Sequence, residues 1–151
     1  MSFLIASAPH ADTFGYSMPP PGLLRLGGAL ERAGFEVELD DLAFALAAGE
    51  LPADDSLADA ATERLLRRGP DVLGLSVMGA TLPIALAIAE RVRAVRPGLP
   101  IWLGGPGTTG VDAALLERFS AIDLVVRGEG ERTTAELLER RGSGRTPAGC
   151  A

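Results

Sequence analysis

The sequence contains no lysine, and histidine and cysteine each occur once, as His10 and Cys150. Without lysine, the chain can have neither the lysine of a phosphate-binding P-loop nor a lysine that forms Schiff bases. One histidine and one cysteine are too few for a zinc site or a cysteine-ligated iron–sulfur cluster, so we expect no metal held by protein ligands. A lone cysteine cannot form an internal disulfide, which is typical of a reducing compartment and predicts a cytoplasmic protein.

Positive charge and long apolar runs are also scarce. The 14 basic residues are outnumbered by 20 acidic ones, which gives a net charge of −6, and the basic residues form no run that could bind a phosphate backbone. No apolar stretch approaches the roughly 20 residues that cross a bilayer. The first five residues lack the basic start and long apolar centre of a signal peptide. We therefore expect no nucleic-acid partner and no membrane association.

The residues that are present alternate between strand and helix patterns, which is typical of an α/β domain. Five short apolar runs predict strands at residues 3–8, 35–39, 72–77, 100–103 and 122–126. Helical periodicity separates most of them, while the alanine-rich residues 42–52 predict either a short helix or an ordered loop. The alternation predicts a flavodoxin-like (Rossmann-like) three-layer sandwich with a five-stranded parallel sheet of order 2-1-3-4-5. We expect one domain over residues 1–141 and a flexible tail, or the start of a linker, over 142–151.

Small residues follow three of the predicted strands, in residues 76–83, 104–110 and 128–131. A glycine at one such corner is common for architectural reasons, because the turn often needs positive φ. The carboxyl ends of parallel strands meet at one edge of the sheet, however, and that edge is where ligands bind in α/β folds. Three corners in register therefore predict a broad ligand seat at this edge.

Two further hypotheses concern the same corners. Gly105, Gly107 and Gly110 match G-x-G-x-x-G between a strand and a helix, with Glu129 downstream for a ribose, which would indicate a nucleotide-binding Rossmann-like module. That fingerprint usually follows the first strand, and here it follows the fourth. A non-catalytic interaction domain is the other hypothesis, and it predicts no ligand and self-association. A response regulator is excluded, because it would need an acidic residue in the place of Pro9 and a lysine in the place of Arg127.

Three longer stretches, residues 18–41, 70–106 and 123–138, resemble in their order the cobalamin (vitamin B12)-binding N-terminal domain of cobalamin-dependent radical S-adenosylmethionine enzymes. The resemblance implies that this chain binds cobalamin base-off, with the dimethylbenzimidazole tail released from cobalt and buried beside the sheet. It also implies a place in a longer enzyme, most simply a methyltransferase. The substrate of such an enzyme does not follow from the resemblance.

The resemblance assigns cofactor-binding roles to the corner residues. The residues implied near the corrin ring are Pro20, Pro21 and Gly22. Those implied to line the tail slot are Ser76, Val77, Met78, Gly79, Thr81, Leu82, Gly104, Gly105 and Pro106, with Val77, Met78 and Leu82 supplying its apolar wall. Those implied to flank the slot are Gly128, Glu129, Gly130 and Glu131. Enlarging Gly105 or Ser76 is expected to abolish cobalamin retention and to leave the fold soluble.

The chain departs from related motifs in two ways. It lacks D-x-H-x-x-G, the motif that offers a histidine to cobalt in other cobalamin modules, and His10 lies in an unmatched context; we expect no histidine ligand. It also lacks C-x-x-x-C-x-x-C, so a 4Fe-4S cluster and S-adenosylmethionine would belong to a C-terminal domain missing from this chain, or to a partner chain. We expect this chain alone to be non-catalytic, and an apolar face meant for that domain would allow a homodimer.

Overall fold

The computed structural model describes residues 1–11 and 18–143 of the chain, in which strands and helices alternate. The strands are Ser2–Ser7 (β1), Glu36–Asp41 (β2), Val72–Ser76 (β3), Ile101–Gly104 (β4) and Leu124–Val126 (β5). The helices are Pro21–Arg32 (α1), Leu42–Ala47 (α2), Leu57–Arg67 (α3), Leu82–Val95 (α4), Asp112–Arg118 (α5) and Gly130–Gly142 (α6). Two 3-10 turns, Gly79–Thr81 and Pro106–Thr108, follow β3 and β4.

The five strands form one parallel sheet of order β2-β1-β3-β4-β5, which confirms the predicted flavodoxin-like topology. The fifth strand begins two residues later than predicted. The amide of Ile122 donates to the carbonyl of Phe119 in a turn, and only then does Asp123 donate to Ile101 of β4. The predicted tail lies outside the described residues from position 144 onward, and α6 continues to Gly142.

Each face of the sheet carries its own apolar core. Buried side chains of β1, β3 and β4 such as Leu4, Leu73 and Leu103 pack on one face with residues of α2, α3, α4 and α5. On the other face, Phe3 and Trp102 pack with residues of α1 and α6. Successive side chains of a strand point to opposite faces, so the two cores interleave along each strand. The sheet is thus buried on both sides, as parallel sheets require.

Helix α1 lies close to the sheet because one of its glycines permits it. A Cβ built on Gly27 would lie 2.9 Å from Cδ2 of Leu39 in β2. Leu23 and Leu30 of the same helix are fully covered. Helix α4, at 14 residues, is the longest helix described. Across residues 1–11 and 18–143, none of the helices combines the length and the apolar character needed to cross a membrane.

Candidate functional site

A cavity of about 450 Å³ opens at the carboxyl edge of the sheet, between one sheet face and helices α1 and α6. The strands provide its lining residues Phe3, Ile5, Gly74, Leu75, Ser76, Trp102, Leu103, Gly104 and Val126. The segments beyond or between strands provide Gly22, Arg25, Leu26, Gly105, Pro106, Thr109, Gly128, Glu129, Gly130, Glu131 and Thr134.

The cavity lies over two neighbouring rows of the sheet, of which the one at the carboxyl edge has small side chains at its centre. One row runs across the strands through Ile5, Gly74 and Trp102. The next row, at the carboxyl edge, consists of Ser7, Ser76, Gly104 and Val126. Residues two apart on a strand share a face, so all of these positions point toward α1 and α6. The small side chains of Ser76 and Gly104 in the edge row leave a space that the two helices do not fill, whereas the space over Gly74 is taken by the ring of Phe3.

The deep part of the cavity is apolar and largely aromatic. Phe3 and Trp102 are 3% and 7% exposed, and their ring centroids lie 5.5 Å apart with the planes tilted by 51°. A Cβ on Gly74 would lie 2.8 Å from Cζ of Phe3, so the Phe3 ring lies directly across this glycine. Ile5 and Leu26 complete the wall. Such a surface binds flat apolar groups in preference to charged ones.

Four polar side chains of the wall take part in no hydrogen bond with the described residues. They are the hydroxyls of Ser76, Thr109 and Thr134 and the indole N–H of Trp102. A hydroxyl can donate and accept, whereas the indole N–H can only donate. A ligand with suitably placed polar groups would satisfy them.

The mouth of the cavity carries charge. Arg25 of α1 lies 3.2 Å from a carboxylate oxygen of Glu131 and 3.5 Å from one of Glu129, at the start of α6. The side chains of Arg25 and Glu129 are 70% and 84% exposed. Exposed pairs of this kind contribute only about 0–1 kcal/mol, so a ligand can displace them at little cost. Arg25 is the one cation among the lining residues that the structure describes.

The corner after β4 packs tightly against the corner after β3. Gly105 has φ of +99°, and a Cβ there would lie 2.6 Å from the carbonyl oxygen of Val77. A Cβ on Gly107 would lie 2.5 Å from the carbonyl carbon of Met78. Both glycines are thus required by backbone packing. This corrects the expectation that Gly105 can be enlarged without harm to the fold.

The structure brings together nine of the residues that the sequence assigned to cofactor binding. Those that line the cavity are Gly22, Ser76, Gly104, Gly105, Pro106, Gly128, Glu129, Gly130 and Glu131. Those that do not line it are Pro20, Pro21, Val77, Met78, Gly79, Thr81 and Leu82. Since Pro20 and Pro21 immediately precede Gly22, they lie beside the mouth.

The expected apolar wall of Val77, Met78 and Leu82 is not the wall of this cavity. Val77 is 1% exposed and belongs to the core on the opposite face, against which Leu82 also packs. The side chain of Met78 is 54% exposed beyond the end of β3. The hydroxyl of Thr81 is engaged within its own turn, because its oxygen accepts a 2.9 Å hydrogen bond from the Met78 amide. Ser76 faces the cavity, and its neighbour Val77 consequently faces away.

Sequence reasoning missed the residues that form most of the wall, although spacing rules pointed to several of them. Gly74 and Trp102 stand two positions before Ser76 and Gly104, and so share their face of the sheet. Leu26 and Thr134 stand four positions after Gly22 and Gly130, and so share a helical face with them. No comparable signal marked Phe3 or Ile5.

The backbone of residues 105–111 argues against a phosphate-binding loop. The amide of Gly107 donates to Val77, that of Thr108 donates to Gly105, and that of Thr109 donates to Pro106. A phosphate cradle needs several N–H groups free to meet the anion. Since these donors are already used inside the protein, the match to G-x-G-x-x-G reflects the packing of two corners.

A parallel α/β sheet with a cavity at its carboxyl edge is the arrangement of a ligand-binding α/β domain. Residues 9–138 match the family described as B12 binding domain, and the chain belongs to that family.

Curated relatives are similar over most of this chain. The anaerobic magnesium-protoporphyrin IX monomethyl ester cyclase of Synechocystis is 34% identical over 144 residues, which are 91% of this chain and 27% of the relative. An uncharacterised methyltransferase of Pyrococcus horikoshii is 27% identical over 132 residues, which are 87% of this chain and 26% of the relative. The chain therefore spans about a quarter of the length of these curated relatives.

Two solved structures that share this fold are receiver domains. The isolated receiver domain of RcsB from Salmonella enterica serovar Typhimurium superposes with a TM-score of 0.60 at 16% identity, covering 97% of this chain and 91% of that one. The DrrB receiver domain gives 0.57 at 16% identity, covering 94% and 97%. At this identity the likeness shows the flavodoxin-like fold alone. Phosphoryl transfer is not implied, because Pro9 and Arg127 occupy the positions where an acid and a lysine would be needed.

Proposed function

We propose that this chain binds cobalamin base-off, with the nucleotide tail in the cavity and the corrin ring outside it at the carboxyl edge of the sheet. The observation that carries the proposal is the cavity itself, in a chain of the B12-binding family. Its volume of about 450 Å³ lies within the range of about 300–1,000 Å³ that small-molecule sites occupy. Its apolar depth suits a benzimidazole, and its polar mouth suits the sugar and phosphate.

Different residues of the cavity would contact different parts of the tail. Phe3, Leu26 and the ring of Trp102 would pack on the base, and the hydroxyl of Ser76 would donate a hydrogen bond to its one free ring nitrogen. Gly104 leaves room for it by having no side chain. Outside the cavity, the ring lies over the strand ends, near the residues named for that role from the sequence. Those residues are Pro20, Pro21 and Gly22. Met78 and Gly79, which the sequence assigned to the tail slot, would lie near the ring as well.

The chain supplies binding and orientation. Cobalamin, when bound, supplies group-transfer or radical chemistry at cobalt. His10 is exposed at the end of the described first loop segment, and the proposal gives it no role as a cobalt ligand. The proposal therefore predicts that His10→Ala leaves the visible spectrum of the bound cofactor nearly unchanged.

We further propose that the chain is the cobalamin-binding domain of a longer radical S-adenosylmethionine enzyme, most simply a methyltransferase. The length of the relatives supports this, since the chain spans about a quarter of each, and one of them is named as a methyltransferase. The 4Fe-4S cluster and S-adenosylmethionine would then lie in a C-terminal domain or on a partner chain. The carboxyl edge of this domain, where the corrin is exposed, would face them.

Retention of cobalamin by the purified chain tests the proposal. We expect the 151-residue chain, mixed with hydroxocobalamin and desalted, to remain coloured with about one cobalamin per chain and a base-off visible spectrum. Binding should also quench the fluorescence of Trp102, the only tryptophan of the sequence.

A colourless protein after desalting would contradict the proposal. Thermal unfolding in the presence of NAD, NADP and S-adenosylmethionine provides the comparison. A rise in the melting temperature with one of these and none with cobalamin would favour the nucleotide-binding hypothesis. No rise with any of them, together with stable self-association, would favour the interaction domain.

A further inference from the structure

We propose that the mouth of the cavity is an anion site for the phosphate diester of the cobalamin tail, and that Arg25 releases Glu129 and Glu131 to bind this phosphate. The inference rests on the proposed function and goes beyond it, because binding of the ring and the base would not by itself require recognition of the phosphate. It follows from the charges, the helix ends and one unpartnered hydroxyl at the mouth.

Arg25 is the cation of this site. It lines the cavity, and its guanidinium lies 3.2 Å from a carboxylate oxygen of Glu131 and 3.5 Å from one of Glu129. The planar guanidinium forms paired hydrogen bonds with the oxygens of a carboxylate or of a phosphate. The two carboxylates therefore hold the position on Arg25 that a phosphate would take.

Both helices that border the cavity begin at its mouth. Helix α1 begins at Pro21 and α6 at Gly130, and Gly22 and Gly130 line the cavity. The start of a helix carries a positive partial charge, and its first amides have no acceptor within the helix. Over residues 1–11 and 18–143, no side chain caps the start of α6. Its first N–H groups can therefore meet an anion.

A buried hydroxyl of α6 provides independent evidence for a polar ligand here. Thr134 is 2% exposed and lines the cavity, one turn beyond Gly130. Its hydroxyl oxygen would lie 3.6 Å from a Cβ on Gly130, which places it beside the start of the helix. This hydroxyl has no hydrogen-bond partner among the described residues, whereas most buried polar atoms in proteins have one. It can donate to a phosphate oxygen.

The two carboxylates compete with the phosphate for Arg25. The side chain of Glu129 is 84% exposed, so it can turn into solvent, and that of Glu131 is 26% exposed. An exposed ion pair contributes little to stability, whereas a bound phosphate would meet Arg25, Thr134 and the start of α6 together. The carboxylates would also repel the phosphate. Their removal is therefore expected to strengthen binding.

The first test compares three corrinoids on the unaltered 151-residue chain by equilibrium gel filtration with visible absorbance. They are cobalamin, cobinamide phosphate, which has the phosphate and no base, and cobinamide, which has neither. We expect cobinamide phosphate to bind about fivefold or more tightly than cobinamide, because charge-assisted hydrogen bonds to the phosphate are added. This comparison does not depend on the folding of any variant.

Substitutions then test the residues. Arg25→Gln should lower the affinity for cobalamin about tenfold, and Thr134→Val about fivefold, with the affinity for cobinamide unchanged in both. Arg32→Gln is the matched control, because Arg32 is an exposed arginine at the other end of α1 and should alter neither affinity. Far-UV circular dichroism and the melting temperature establish that each variant is folded.

Removal of the competing carboxylates tests the exchange. The double variant Glu129→Gln, Glu131→Gln should bind cobalamin about two- to fivefold more tightly than the unaltered chain. Its control is Glu90→Gln, Glu117→Gln, which makes the same change of net charge at exposed positions of α4 and α5 on the opposite face of the sheet. The control should bind cobalamin like the unaltered chain.

The outcomes separate the inference from the proposed function. Equal affinity for cobinamide phosphate and cobinamide would overturn the anion site and leave cobalamin binding intact. An Arg25→Gln variant that binds cobalamin like the unaltered chain, or that loses cobinamide equally, would do the same. Unchanged or weaker binding by the double glutamate variant would overturn the exchange. Failure of the unaltered chain to bind all three corrinoids would overturn the proposed function and the inference with it.

Discussion

Gly104→Leu is expected to lower the affinity for cobalamin by about a hundredfold or more, since a branched side chain would occupy the space proposed for the tail. Gly104 stands in the edge row between Ser76 and Val126 and lines the cavity. A Cβ there would make only ordinary contacts, 3.7 Å from Cβ of Val126. The sheet can therefore accept the substitution, and the isobutyl group would extend into the cavity.

The measurement is a titration with hydroxocobalamin followed by visible absorbance. Gly98→Leu is the matched control, because Gly98 lies in the turn before β4, at the other end of the sheet, and a Cβ there meets nothing within 4 Å. The control should bind cobalamin like the unaltered chain. A Gly104→Leu protein that is folded and still binds with undiminished affinity would show that the tail does not enter the cavity.

Gly107→Ala is expected to cause the largest loss of stability, about 2–4 kcal/mol in the free energy of unfolding. Its Cβ would lie 2.5 Å from the carbonyl carbon and 2.6 Å from the carbonyl oxygen of Met78. These are backbone atoms and cannot rotate away as a side chain would. The corner after β4 would have to move off the corner after β3, and the 2.9 Å hydrogen bond from the Gly107 amide to Val77 would be lost.

Urea unfolding of the free protein measures this effect, with Gly98→Ala as the control that should stay within about 0.5 kcal/mol of the unaltered chain. Because the same corner carries Gly105 and Pro106 to the cavity, cobalamin binding should weaken together with stability. An unchanged unfolding midpoint for Gly107→Ala would contradict the packing of the two corners described above.

The fold could be predicted from the sequence because local residue patterns identify nearly every strand and helix. Apolar runs and helical spacings mark ten of the eleven strands and α-helices without reference to the rest of the chain. The alanine-rich residues 42–52 left helix and loop both open. There the structure forms α2, because the Asp41 carboxylate accepts hydrogen bonds from the amides of Ala43 and Phe44, at 3.1 and 3.2 Å, and caps the helix.

The candidate site could be predicted only in part, since it depends on relations between elements. Glycines marked the corners, but a glycine-rich corner does not show whether its space is open or packed. Gly104 faces the cavity, whereas the space beside Gly107 is filled by the backbone of the neighbouring corner. The sequence also did not show which residues of β3 face the cavity. Val77 was therefore assigned to the tail slot, although Gly74 and Ser76 face the cavity and Val77 faces the opposite core. The aromatic wall depends on how the strands pack against α1 and α6, which the sequence alone does not show.

The central claim is that the tail of the cofactor enters the cavity beside Trp102. The chain has one tryptophan, so its ¹⁵N–¹H correlation spectrum contains one indole signal. We predict that this signal shifts when hydroxocobalamin is added in equimolar amount, and that tail-less cobinamide, which binds at the same edge, leaves it nearly unmoved. An indole signal that stays in place while cobalamin is demonstrably bound would contradict the account.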